Sequence, residues 1–173
     1  MRKLRLLVTE KCNRSCAGCC NKDWDLKQLP VCSDFRPYGL IMITGGEPML
    51  EPTRVLALIH RLRVENPDAK IVIYTAWNGN YDERRKRILQ AADGITFTVH
   101  EHNDWKSALL LDQFFAETGP DKSLRLNIFQ EAEIPKDALG QLSCSWEIKP
   151  DIKWIKNCPL PENEVFMRIG RNK

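Results

Sequence analysis

Short apolar runs along the chain alternate with stretches in which apolar residues recur every three or four positions, and this alternation predicts the elements. Leu4 to Val8 is a short run that reads as a buried strand, and Gly39 to Thr44 is a second that leads into two glycines. Pro52 stands where a helix can begin, and Val55, Leu56, Ile59 and Leu62 recur at helical spacing until Asn66-Pro67 stops it. The order then repeats. A strand is predicted over Ile71 to Thr75, a helix from Asp82 to Ala92 and a strand over Ile95 to Val99. A helix from Trp105 to Glu117 and a strand over Leu124 to Phe129 follow, and a sixth strand is expected around Trp146 to Ile148. Strands alternating with helical patterns predict βαβ units on a parallel sheet, an α/β fold.

Two stretches carry no such pattern. Residues 20–38 are polar and irregular, with Pro30 and Pro37 limiting any helix. The segment from Pro150 to Lys173, with Pro159 and Pro161, gives no clear period either. The chain divides on this basis into a core over 1–149 and a C-terminal tail over 150–173 packed on it. No internal repeat interrupts the pattern. At 173 residues the simplest reading is one domain, too short for a complete eight-unit barrel of about 250 residues.

The net charge of +3 argues only weakly for an anionic partner. The run Asp82-Glu83-Arg84-Arg85-Lys86-Arg87 is explained as a charged helix face in preference to a nucleic-acid contact. Trp77, Trp105, Trp146 and Trp154 read as core or rim packing, not base-stacking platforms. Met1-Arg2-Lys3 precedes an apolar run too short for a signal peptide, and no run of about twenty apolar residues offers a membrane span. The seven cysteines are odd in number, with three of them tightly clustered, which favours a reducing compartment over a disulfide framework. The expectation is a cytoplasmic protein with neither membrane nor nucleic acid as partner.

The clustered cysteines carry the chemistry. Cys12, Cys16 and Cys19 follow the first strand directly, spaced Cys-x3-Cys-x2-Cys, with Gly18 relaxing the backbone between them. Such short runs of thiolates hold iron-sulfur clusters. Three ligands are one too few for a four-iron cube, so one iron would stay open, as a catalytic zinc keeps an open position. The competing reading is a zinc knuckle or buried thiols, but a structural zinc needs a fourth close ligand, and His60, His100 and His102 do not lie at zinc-finger spacing. The second strand runs into Gly45-Gly46-Glu47-Pro48. Glycines let backbone groups approach closely because no Cβ stands in the way, Glu47 adds negative charge, and Pro48 fixes the chain's exit.

In this order, the two motifs resemble those of the radical S-adenosylmethionine (SAM) family. The resemblance implies a partial (βα)6 radical SAM barrel, with a [4Fe-4S] cluster on Cys12, Cys16 and Cys19. It implies SAM held at its amino group by Gly45, Gly46, Glu47 and Pro48. It further implies that the reduced cluster passes an electron to the sulfonium, releasing methionine and a 5′-deoxyadenosyl radical that abstracts hydrogen from a substrate. An external one-electron donor such as flavodoxin or ferredoxin is then required. In parallel barrels the carboxyl ends of strands face the site, which nominates Thr75, Thr98 and His100. The segment 93–104 looks like the fourth-strand region of glycyl-radical activating enzymes, where charged groups near SAM occupy the places of Thr98 and His100. Asn127, on the fifth strand, could contact the SAM ribose. Strand ends with ordinary polar groups, and a merely satisfied asparagine, are the competing readings. No catalytic residue is assigned beyond the cluster.

Within the family the chain is most similar to the small anaerobic ribonucleotide reductase activases, through Cys16-Ala17-Gly18-Cys19 followed by Cys20-Asn21 and through the match from Gly46 to the helix ending near Pro67. Gly18 stands where many other members have an aromatic residue. The partner implied is a glycyl-radical protein; the longer tail and early first strand depart from the comparison. Modification of a small molecule, nucleotide or peptide is the alternative chemistry, and a non-catalytic zinc-binding module the alternative class. Cys20, Cys32, Cys144 and Cys158 could join an auxiliary cluster as in some members, although their scatter favours simple buried thiols. The tail could cover the open side of the barrel or face the substrate.

Overall fold

The structure is a computed structural model and describes residues 1–119 and 121–170. Six strands follow one another across the sheet in chain order: β1 (Lys3–Leu7), β3 (Leu40–Thr44), β4 (Lys70–Thr75), β5 (Gly94–Val99), β6 (Ser123–Phe129) and β7 (Glu147–Ile152). Two more strands lie on the far side of β1. They are β8 (Glu164–Ile169), which pairs with β1, and the two-residue β2 (Val31–Cys32) outside it, giving the order β2-β8-β1-β3-β4-β5-β6-β7. Every pairing is parallel. Three connections are helical: α1 (Pro52–Glu65), α2 (Glu83–Ala91) and α3 (Trp105–Thr118). This is the predicted α/β parallel sheet in a single body, with the predicted strands and helices within a few residues of their expected ends.

Alternation along the strands sorts the two faces. Leu4, Leu6, Ile41, Ile43, Ile71, Ile73, Phe97 and Leu126 are buried, in one core with Val55, Leu58, Ile59 and Leu62 of α1 and Ala108, Leu111 and Phe115 of α3. The other face is half polar: Tyr74, Thr96 and Arg125 lie in register across β4, β5 and β6, and Thr98 and Asn127 are the next pair. The charged run at 82–87 opens α2, where Asp82 caps the helix by accepting from Arg85 N at 3.0 Å. Arg85 also turns inward, donating to Met49 O at 3.0 Å and stacking over the Trp77 ring.

The C-terminal segment contributes to the sheet. β7 runs through the 149/150 boundary, with Pro150 tolerated because this is an edge strand and forfeits no ladder bond on its outer side. Residues 164–169 then enter the sheet as β8, beside β1. Residues 171–173 of the tail lie outside the described residues. One correction concerns Cys20 and Cys158. They are not separate buried thiols but are joined as a disulfide across 138 residues, while Cys32 and Cys144 stay free. Spacing could not reveal a bridge between residues so distant in sequence.

No helix of the described residues is long and apolar enough to cross a membrane.

Candidate iron-sulfur site

Because all strands are parallel, their carboxyl ends form one rim, and there the loop after β1 meets the turn after β3. Val8 N donates to Thr44 O at 2.9 Å, Gly46 N to Thr9 O at 2.7 Å and Glu47 N to Lys11 O at 2.8 Å. From the other side Asn21 Nδ2 donates to Gly45 O at 2.7 Å. The cysteine loop is thereby stitched along the glycine turn at both its entry and its exit. The glycines themselves serve this contact. Neither has positive φ, but a Cβ on Gly45 would lie 2.4 Å from Thr9 O and one on Gly46 2.0 Å from Lys11 O. The glycines thus serve close approach to the chain's own backbone at Thr9 and Lys11.

Glu47 is likewise engaged within the protein. It is 2% exposed, and its carboxylate accepts from Thr75 Oγ1 at 2.6 Å, Met49 N at 2.9 Å and Ala76 N at 2.9 Å. Burial pushes its carboxyl pKa up, against those three donors and the Arg14 charge. Thr75 is buried between Glu47 and Trp77 N, which donates to its hydroxyl at 3.0 Å. Pro48 opens the short 48–50 turn that Glu47 caps. These groups build the rim's scaffold, with the Glu47 carboxylate hydrogen-bonded within it.

Thr98, His100 and Asn127 come together at the ends of β5 and β6. Thr98 and Asn127 are register partners on the half-polar face. The His100 ring packs against both Phe129, with centroids 4.9 Å apart, and Trp154, at 5.5 Å, and those two rings also meet each other at 4.1 Å. Burial, reinforced by the Arg14 charge, holds its pKa down at about 4, so near neutral pH the imidazole is uncharged, unlike the charged groups the resemblance led us to compare. Two atoms here are buried without a partner among the described residues: His100 Nδ1 and Asn127 Oδ1. Orphaned buried polar atoms are uncommon in folded proteins and favour a ligand that completes them.

The residues fit a cluster in the following respects. Cys12, Cys16 and Cys19 are free and range from exposed to half-buried. Burial raises the Cys16 thiol pKa, and Cys19 and Cys12 raise it further against the opposing Arg14 charge, so the three groups share one electrostatic neighbourhood. Arg14 N points at Cys12 Sγ at 3.4 Å. Among the described residues, no three His, Cys, Asp or Glu side chains already surround a single ion. A closed structural zinc would want four ligands on one point, whereas the corners of a cube are spaced apart. Three clustered thiols are one short of a closed structural zinc and match the cysteine ligation of a four-iron cluster at three of its corners.

Sequence reasoning missed the groups that hold this loop. Arg14, between Cys12 and Cys16, is paired with the fully buried Asp104. Trp154, on the β7–β8 connection, lies against Gly18, where a Cβ would come within 2.5 Å of its ring. Four residues further on, Cys158 is bonded to Cys20. The connection crosses the cysteine loop and is fastened to it at two points. A cleft of ≈ 760 Å³ opens beside the loop, lined in part by Thr9, Lys11, Lys27, Arg54 and Arg168. A cleft of ≈ 780 Å³ lies at the opposite rim, around Leu40, Lys70 and Ser123, remote from the cysteines.

A family model described as a 4Fe-4S single cluster domain matches residues 2–107, which hold the cysteine loop, the glycine turn and His100. No curated protein matches the chain.

Proposed function

The chain belongs to the 4Fe-4S single cluster domain family, and from that premise we propose that this iron-sulfur protein is a radical SAM enzyme. The observation that carries the reading is the stitching of the three-cysteine loop to Gly45–Glu47 on one rim, beside the orphaned atoms of His100 and Asn127. Cys12, Cys16 and Cys19 hold the cluster. When bound, the cluster supplies the electron that cleaves SAM to methionine and a 5′-deoxyadenosyl radical, and a donor of the flavodoxin or ferredoxin kind replenishes it.

The chain's own residues bind and orient. Glu47, Thr75 and Pro48 fix the turn against the cysteine loop, so the part of SAM assigned to this turn meets backbone groups in place of a free carboxylate. Asn127 Oδ1 is an acceptor suited to a ribose hydroxyl. Neutral His100 adds no charge, and with Trp154 and Phe129 it walls the site and excludes water.

For the substrate we propose a glycyl-radical protein. Support comes from the run Cys19-Cys20-Asn21 and the span from Gly46 to Pro67 that resemble the activases. Gly18 lends less, because in this chain Trp154 already demands a glycine there. Radical modification of a small molecule, nucleotide or peptide is the second reading, favoured by the cleft beside the cysteine loop.

Anaerobic reconstitution tests the proposal. About four irons per chain, and 5′-deoxyadenosine formed on reduction with SAM, are expected. Bound zinc with no 5′-deoxyadenosine would support a non-catalytic module instead. A glycyl radical on a co-purified reductase, seen by electron paramagnetic resonance, would identify the substrate class.

A further inference from the structure

The ion pair between Arg14 and Asp104 joins the middle of the cysteine loop to the chain just beyond β4 and β5. Asp104 is 0% exposed, and the Arg14 side chain 9%. Arg14 Nη2 donates to Asp104 Oδ1, and its Nε donates to Ala76 O at 2.9 Å, just beyond β4. Asn78 Nδ2 also donates to Asp104 Oδ1, at 3.3 Å. The other carboxylate oxygen accepts from His100 N at 2.9 Å and Glu101 N at 3.1 Å, just beyond β5. One guanidinium-carboxylate contact thus ties the middle of the cysteine loop to the ends of two strands.

A buried pair of this kind is a poor source of stability, since apolar residues of similar size replace it at little or no cost. What it supplies is position. Arg14 is flanked by Cys12 and Cys16, so the pair sets where the loop's centre sits relative to β4 and β5, while the backbone bonds at Thr9 and Lys11 fix only its entry. The guanidinium also brings positive charge towards thiolates that become anionic on binding iron, and Asp104 offsets part of it.

We infer that Arg14 and Asp104 are a positioning pair that holds the cysteine loop ready for its cluster, Asp104 anchoring Arg14 to the chain just beyond β5. The inference rests on the reading of Cys12, Cys16 and Cys19 as cluster ligands, and its test separates the two. The reconstituted full-length protein, Asp104→Asn and Arg14→Lys are compared for iron per chain, rate of iron loss to a chelator, and cluster reduction potential. Groups behind metal ligands are typically worth about 10- to 100-fold in affinity, so iron loss about 10- to 100-fold faster is expected for Asp104→Asn. Arg14→Lys, which keeps the charge but not the fork, should fall between it and the unaltered protein. The potential should rise in Asp104→Asn, where the Arg14 charge is uncompensated, a shift that mere loosening of the fold would not give. Should Asp104→Asn fail to fold, the double variant R14M/D104N leaves no unpaired charge, keeps an acceptor for the amides of His100 and Glu101, and should fold with the same rapid iron loss. If the unaltered protein takes up no cluster, the ligand reading fails. If it does, and the variants retain iron as it does with unchanged potential, the positioning role is overturned.

Discussion

The hydroxyl of Thr75 donates to Oε1 of Glu47 across 2.6 Å, so the turn after β3 is braced from the end of β4. The same carboxylate takes two backbone amides, Met49 N and Ala76 N. In Glu47→Gln one oxygen becomes an NH2 group, which cannot accept, so a buried donor loses its partner. Such a loss costs about 1–3 kcal/mol. Urea denaturation of the variant should give a midpoint lowered to match, and an unchanged midpoint would mean that the brace is dispensable.

A methyl group at position 46 would lie 2.0 Å from Lys11 O, which is backbone and cannot swing aside. Overpacking of this kind costs about 1–3 kcal/mol or more, and here the strain falls on the cysteine loop. Gly46→Ala should therefore lower both the unfolding midpoint and the iron taken up on reconstitution. Gly140→Ala, where a Cβ meets nothing within 4 Å, is the control expected to change neither.

His100 makes the stability of the fold depend on pH. Its folded pKa is held down at about 4, below the ordinary value of about 6.5. Between those two values the unfolded chain binds a proton that the folded chain refuses, so stability rises with pH across that window and is lost as pH falls through it. The contribution is on the order of 2–3 kcal/mol. Denaturation midpoints between about pH 4 and 7 should flatten in His100→Phe relative to the unaltered protein, and an identical slope would show that this histidine titrates normally.

The bridge between Cys20 and Cys158 closes most of the chain into one loop. Bridges closing loops typically contribute about 2–4 kcal/mol, chiefly by constraining the unfolded chain. Cys158→Ser should lose that amount and leave Cys20 open to thiol alkylation. Intact-mass measurement without reductant checks the premise directly, since labelling of Cys20 in the unaltered protein would contradict the bridge.

The elements the sequence made legible are those whose signal is local. β1, β3, β4, β5 and β6 are apolar runs, and α1 to α3 show apolar residues at helical spacing, because each buries one face in the same core. β8 is different. It lies between β1 and the two-residue β2, only Phe166 along it is buried, and it follows a proline-rich stretch, so no periodic pattern stands out. At the site, the three cysteines and the glycine turn were legible because their spacing is itself the signal. Arg14 and Asp104 are 90 residues apart, and each reads as an ordinary surface charge until the fold buries them together. The close approach of Gly45 and Gly46 to the backbone at Thr9 and Lys11 was not legible, because pattern alone does not bring those segments alongside.

The central claim is that the three thiols leave one corner of a cluster open to SAM. Electron paramagnetic resonance of the reduced, reconstituted protein, recorded with and without SAM, tests it most directly. A cluster signal whose g-values move on adding SAM is the result this account predicts. A signal indifferent to SAM, or no cluster signal at all, would contradict it.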